Sequence, residues 1–443
     1  MPVTEAGTRD DAPAPDPSAA PAREVVALLA PRDGVPPVIV TPHQLREAAA
    51  LIAAGTGPLA VDAERASGYR YGQRAYLVQL RREGAGTHLV DPTALPDLQP
   101  LIEAVAGTEW VLHAASQDLP CLRELGLEPA SLFDTELAGR LLGYPRVGLA
   151  ALLEEVLGWS LAKEHSAADW STRPLPEPWL RYAALDVELL VELRDALEAE
   201  LAEAGKLEWA HQEFDAVRDA APAAPRTDPW RRTSGVHKLR RPRQLAVVRA
   251  LWGARDAVAR RRDVSPGRIL PDASIIAGAL AATQSGFHSL DDVAAFTGRG
   301  AKRHMGEWQA AVEEALRLPD SELPAQSLPS DGPPPPRAWA DKDPDAAARL
   351  AVARRALAAL AEQVGLPVEN LASPDLVRRV LWTPPPGPDG VAPALAAGGA
   401  RPWQIELVGP LLADALGATA EDERARAEAQ AALDALEPDP DEG

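Results

Sequence analysis

Two hydrophobic periods divide this chain. Between residues 38 and 219, short apolar runs alternate with stretches of helical spacing. Residues 59–63, 75–81 and 87–90 are apolar-rich runs separated by Gly-containing turns, a pattern that predicts three strands in an antiparallel meander. Thr41, Pro42 and then Leu45, Ala48, Ala49 and Ile52 at helical spacing predict a capped helix ahead of them. Further on, 98–105, 118–125, 131–142, 149–157 and 179–201 read as helices and 110–113 as a strand. Strands interleaved with helices indicate a layered α/β domain. Beyond residue 240 only the helical period remains, at 244–262, 273–281, 290–295 and 302–316, then at 346–364, 374–380 and 402–416.

Punctuation between these stretches sets the expected domains. Residues 1–37 are rich in Pro, Ala and acids and read as a disordered extension, with an apolar island at 23–30 that could dock. Residues 38–219 form the α/β domain, and 220–235, containing APAAPR, a linker. An all-α domain spans 236–318. A Pro-rich linker with PPPP covers 319–340, a second all-α domain covers 341–420, and 421–443 is an acidic tail.

Composition changes this picture in three places. The chain has 443 residues, so each region is large enough for its own core. One cysteine, Cys121, excludes an internal disulfide and fits a reducing compartment. No apolar run approaches membrane-spanning length and no secretory signal is evident, so a cytoplasmic, monomeric protein is expected. The net charge of −20 argues against nucleic acid only if charge is evenly spread. It is not. From 226 to 270, thirteen Arg and Lys residues face three Asp, with Trp230 and Trp252 interleaved. That imbalance is too lopsided for a face of alternating ion pairs, and makes a nucleic-acid-binding patch of Arg240, Arg241, Arg243, Arg260, Arg261 and Arg262 the better reading.

The candidate chemistry begins at PLAVDAE, where Asp62 and Glu64 follow an apolar run. In a strand they share a face, about 7 Å apart. Two neighbouring carboxylates repel each other, and oxygen-only donors suit Mg²⁺ or Mn²⁺. Alone, this is more often a strand entering a polar loop. WVLHAASQDL adds Asp118 near a helix start, and YAALD adds Tyr182 and Asp186, four apart on one helical face. Four carboxylates and a phenol from three separated elements can hold two hard cations in the geometry of in-line phosphodiester hydrolysis. The loop 65–74 is either a polar hairpin or a lip contacting a nucleic-acid end through Tyr69, Arg70, Tyr71 and Arg74. The polar stretch 163–174 offers Lys163 and Arg173 to phosphates.

The ordered set VDAE, HAASQDL and YAALDV resembles the three motifs of the DEDDy 3′→5′ exonucleases, and residues 133–187 resemble ribonuclease D almost throughout. ILPDASIIAGAL and FHSLDDVAAFTGRG resemble an HRDC domain, and 341–420 a degenerate second one. The resemblance implies a ribonuclease H-like fold, with a mixed sheet covered by helices on both faces, followed by two HRDC-like domains. It implies a metal-dependent 3′→5′ exoribonuclease with Asp62, Glu64, Asp118 and Asp186 around two Mg²⁺ or Mn²⁺ ions and Tyr182 orienting the attacking water. Its expected substrates are transfer-RNA precursors and other structured RNA with a single-stranded 3′ end. A 3′→5′ DNA exonuclease and a catalytically inactive nucleic-acid-binding protein are the competing readings.

Overall fold

A computed structural model describes residues 25–161, 168–222, 224–328 and 332–434. Its centre is a six-stranded mixed sheet built from β2 (Val38–Ile39), β3 (Thr56–Arg65), β4 (Ala75–Glu83), β5 (Gly86–Val90), β6 (Glu109–Leu112) and β7 (Ser131–Asp134), in the order β2-β5-β4-β3-β6-β7. The β3-β4-β5 meander is antiparallel, as the Gly-containing turns predict, and β6 and β7 extend it in parallel. A short strand β1 (Val26–Leu28) pairs in parallel with β8 (Trp159–Leu161) away from this sheet. Part of the extension expected to be disordered is therefore ordered. The apolar island docks there, while residues 1–24 lie outside the described set.

Helices cover both faces. Helix α1 (Pro42–Ala54) starts at Thr41 with a capping box to Gln44, and α2 (Gln99–Val105) packs beside it. Leu45 and Ile52 share the main core with Val78, Leu80 and Val90. Alternate residues Leu77 and Leu89 face the other way and pack with Ala183 and Ala184. Between these, α3 (Leu119–Arg123), α4 (Thr135–Leu142) and α5 (Leu149–Leu152) follow β6, β7 and the Gly148 turn. The helix expected at 131–142 begins as the strand β7, because Leu132 and Phe133 are buried against β6 and Asp134 then caps α4. The long helix expected at 179–201 is two, α6 (Glu177–Glu188) and α7 (Leu190–Glu203), broken at Leu189. Helix α8 (Leu207–Arg218) closes the domain.

The next region has its own core. Leu245, Val248 and Leu251 of α9 (Pro242–Arg262), Ile275 and Ala279 of α11 (Asp272–Ala282), and Trp308 and Val312 of α13 (Met305–Arg317) pack together, with short α10 (Pro266–Ile269) and α12 (Arg299–Lys302) between them. This region also meets the loop after β3. Ser265 N–H donates to the Tyr69 carbonyl at 2.9 Å, the Tyr71 hydroxyl to Asp256 at 2.9 Å, and Arg268 to the Gly68 carbonyl at 2.8 Å.

The last helical region shares one continuous core with the α/β domain. Trp403 stacks on Trp209 of α8, centroids 4.9 Å apart, and donates to Glu213 at 3.0 Å. A further short helix, Val391–Ala397, lies between the helices expected at 374–380 and 402–416. The acidic tail begins as helix Ala420–Asp434, tied back by the Arg355 fork to both oxygens of Glu423 at 2.8 and 2.6 Å.

Candidate active site

Burial and strand alternation bring Asp62 and Glu64 to the face of β3 that α6 covers. From α6, Asp186 turns toward them. One oxygen from each of these three carboxylates lies within 4.8 Å of the other two. Tyr182, one turn earlier, lines the same pocket as Asp186. Asp118 and His113 line the same cavity, which has a volume of about 410 Å³.

Asp118 is placed by a turn that sequence reading did not explain. Ala114 after β6 has a left-handed backbone, φ 59°. Buried Asp134, at the end of β7, holds that turn by accepting the Ala114 and Ala115 N–H groups at 3.1 and 2.8 Å, and also caps α4 through Glu136 and Leu137. One carboxylate thus fixes both the turn that carries Asp118 and the next helix. His113 hydrogen-bonds Thr135 at 2.9 Å, and burial lowers its pKa to about 4, so it is neutral and structural. Asp118 itself is engaged by Arg65 at 3.3 Å. Neither Arg65 nor Asp134 was legible as a site residue, since each stands beside a motif acid without the spacing of one. Gln79 adds a further polar group beside the acids. It pairs with Asp62 across β3 and β4, is fully buried, and its amide has no hydrogen-bond partner among the described residues.

The electrostatics are those of stacked negative charge. Burial first, then Asp62, Asp186 and Asp118, push Glu64 up to about 10. Burial and Asp62 push Asp118 up to about 8, against the pull of Arg65. Burial raises Asp62 as well, and raises Asp186 with Asp62 as its second cause. Burial and the same acids raise Tyr182, keeping its phenol protonated. A stability test follows. Without metal, the fold holds protons that the unfolded chain has released, so stability falls as pH rises. The window runs from the ordinary values of 3.8 and 4.5 to about 8 for Asp118 and about 10 for Glu64. Calorimetry of the metal-free protein should show a melting temperature that declines across this window and recovers on adding Mg²⁺. A flat profile unaffected by Mg²⁺ would contradict it.

Against known proteins, residues 37–202 match the family model for 3′-5′ exonuclease, 244–311 the model for the HRDC domain, and 332–416 that for the 3′ to 5′ exonuclease C-terminal domain. The HRDC model thus matches the first all-α region, while a different model matches the second. Over 365 residues the chain is 31% identical to the ribonuclease D of Pseudomonas paraeruginosa, covering 81% of this chain and 92% of that protein. The chain belongs to the ribonuclease D family. Its fold is similar to that of a protein from Bifidobacterium adolescentis (TM-score 0.80, 40% identity, 89% of this chain and 100% of that one). It is also similar to Escherichia coli RNase D (TM-score 0.61, 26% identity, 86% and 98%). The chain is accordingly a 3′→5′ exoribonuclease of ribonuclease D type, and the DNA-directed and inactive readings are not favoured.

Several cations expected to hold RNA have other work in the structure. Arg173 is a correction. Its Nε and Nη2 reach both oxygens of buried Asp91 at 2.6 and 2.9 Å, and it also donates to the Trp170, Thr172 and Tyr76 carbonyls. Arg243 is another, closing the end of α13 through the Leu318 carbonyl and Asp320. Arg260 is 69% exposed but bonds Asp256 and Tyr71, Arg261 pairs with Glu307 at 3.6 Å, and Arg262 reaches His304. Arg240 and Arg241 are exposed at the start of α9, with no side-chain partner shown among the described residues. Lys163 lies outside the described residues. The loop after β3 likewise turns Tyr69 and Tyr71 toward the HRDC region rather than outward.

Proposed function

We propose that the acid cluster is a divalent metal site and that this chain trims structured RNA bearing a single-stranded 3′ end, transfer-RNA precursors among them. The observation that carries the metal reading is the convergence of Asp62, Glu64 and Asp186 oxygens within 4.8 Å in a half-buried pocket. Such a set is unstable as bare charge, and its all-oxygen chemistry fits Mg²⁺ or Mn²⁺. Asp62, Glu64 and Asp186 would hold one ion, and Asp118 would contribute to a second. Bound divalent cations supply Lewis acidity and charge neutralisation for in-line displacement at phosphorus. The chain's own groups do the rest. Tyr182, kept protonated, orients the attacking water and is no general base. The product is a nucleoside 5′-monophosphate.

Support for structured RNA comes from the similarity to Escherichia coli RNase D, an exoribonuclease involved in structured RNA processing. Exposed Arg240 and Arg241 suit a duplex backbone. All five proposed catalytic side chains line one pocket of a single chain, so the site is complete without a partner subunit. The test is Tyr182→Phe on a hairpin RNA with a 3′ overhang. Loss of the hydroxyl should lower kcat by roughly 10–100-fold and change KM by no more than about twofold. An unchanged kcat with raised KM would make Tyr182 a binding residue.

A further inference from the structure

Arg65 directly follows Glu64 on β3, and in an unbroken strand it would face away from it. The register between β3 and β4 slips between Glu64 and Arg65. The extra residue is Tyr76 of β4, so the pairing is broken opposite the end of β3. There the Arg65 guanidinium enters the acid pocket and pairs with Asp118 at 3.3 Å, with only 27% of the side chain exposed. Its positive charge also acts on Asp62 and Glu64. Asp118, meanwhile, is absent from the compact oxygen cluster that Asp62, Glu64 and Asp186 form. Arg65 further lines an adjoining pocket of about 240 Å³, whose walls include Glu64, Ser67, Gly68 and Tyr69.

We propose that Arg65 is a built-in counter-ion for the second cation position: it occupies Asp118 until a divalent ion takes that carboxylate, and once released it presents its fork to the phosphate of the terminal nucleotide. The inference rests on the metal-site reading above. A guanidinium and a divalent cation cannot both hold Asp118 at full strength, so the arginine weakens the second metal position by competition. Released beside the pocket, its planar fork matches phosphate oxygens in a bidentate way that a lysine cannot reproduce. Metal loading and phosphate capture are thereby coupled through one side chain, with the ion exposing the charge that the substrate needs.

The experiment is a Mn²⁺ titration of the full-length protein, read by electron paramagnetic resonance of free Mn²⁺, for wild type, Arg65→Gln and Arg65→Lys. Binding of adenosine 5′-monophosphate is measured in parallel at saturating Mn²⁺. Wild type should show a tight and a weaker Mn²⁺ site. Arg65→Gln should tighten the weaker site about tenfold, by removing the competitor, and weaken mononucleotide binding by about tenfold. Arg65→Lys should shift both quantities less and in the same directions, and serves as the test if the Gln variant does not fold. Unchanged or weakened Mn²⁺ affinity overturns the competition. Tightened Mn²⁺ binding with unchanged mononucleotide affinity overturns the phosphate role. Absence of Mn²⁺ binding by the wild type would instead overturn the metal-site reading itself.

Discussion

Asp186→Asn should abolish RNA hydrolysis, with kcat reduced by at least about a thousandfold, and should at the same time raise the melting temperature of the metal-free protein. Asparagine matches the shape of aspartate and keeps polar contact with Tyr182. It cannot supply the anionic oxygen that joins Asp62 and Glu64 in the compact cluster. In the metal-free fold that same oxygen is a burden, because Asp186 is raised by burial and by the charge of Asp62. Removing it relieves repulsion on the cluster, so activity and stability move in opposite directions, as expected where function holds a strained charge set in place. Asp62→Asn should behave alike. Calorimetry without metal and turnover at saturating Mg²⁺ measure the two effects. A variant with normal turnover, or one that merely unfolds, would contradict the assignment.

Arg173→Ala should cost about 3–5 kcal/mol of stability, the range for leaving a buried charge without its partner. Asp91 has 3% of its side chain exposed and receives the arginine fork at 2.6 and 2.9 Å. Truncation leaves that carboxylate only its hydrogen bonds from Thr93 and frees the Trp170 and Tyr76 carbonyls, which tie the stretch before α6 to β4. Pairing Arg173→Met with Asp91→Leu should recover much of the loss, because the desolvation cost then disappears along with the attraction. Urea unfolding gives the stability change, and filter binding of RNA at a temperature where the variant is folded gives the other readout. Unchanged stability with lost RNA affinity would restore Arg173 as a phosphate-binding residue.

Much of the candidate site was legible because its acids sit at positions that short-range rules already define. Asp62 and Glu64 share a face by strand alternation, and Tyr182 and Asp186 by helical spacing. The meander could be read from its Gly-containing turns. What could not be read depends on contacts distant in sequence. Residues 131–134 carry a pattern that suits a helix start, and become a strand only because β6 offers an open edge. Asp134 looks like an ordinary helix cap, and its second task, holding the Ala114 turn, lies 20 residues back. The reach of Arg65 to Asp118 joins two distant stretches and leaves no mark in composition. The basic segment illustrates the opposite failure. Its excess charge is real, but Arg243 and Arg255 spend theirs inside the HRDC region, and Arg260 and Arg268 on the loop after β3. Counting charges along the chain cannot separate those from the exposed Arg240 and Arg241.

The central claim is metal-dependent removal of nucleotides from an RNA 3′ end by the acid cluster. The most direct test follows a 5′-labelled RNA oligonucleotide and its DNA counterpart through time with Mg²⁺, with Mn²⁺ and with EDTA, alongside Asp186→Asn. The account predicts a ladder shortening from the 3′ end of the RNA, release of nucleoside 5′-monophosphates, little action on DNA, and none with EDTA or in the variant. Equal cleavage in EDTA, or fragments from internal cuts, would contradict it.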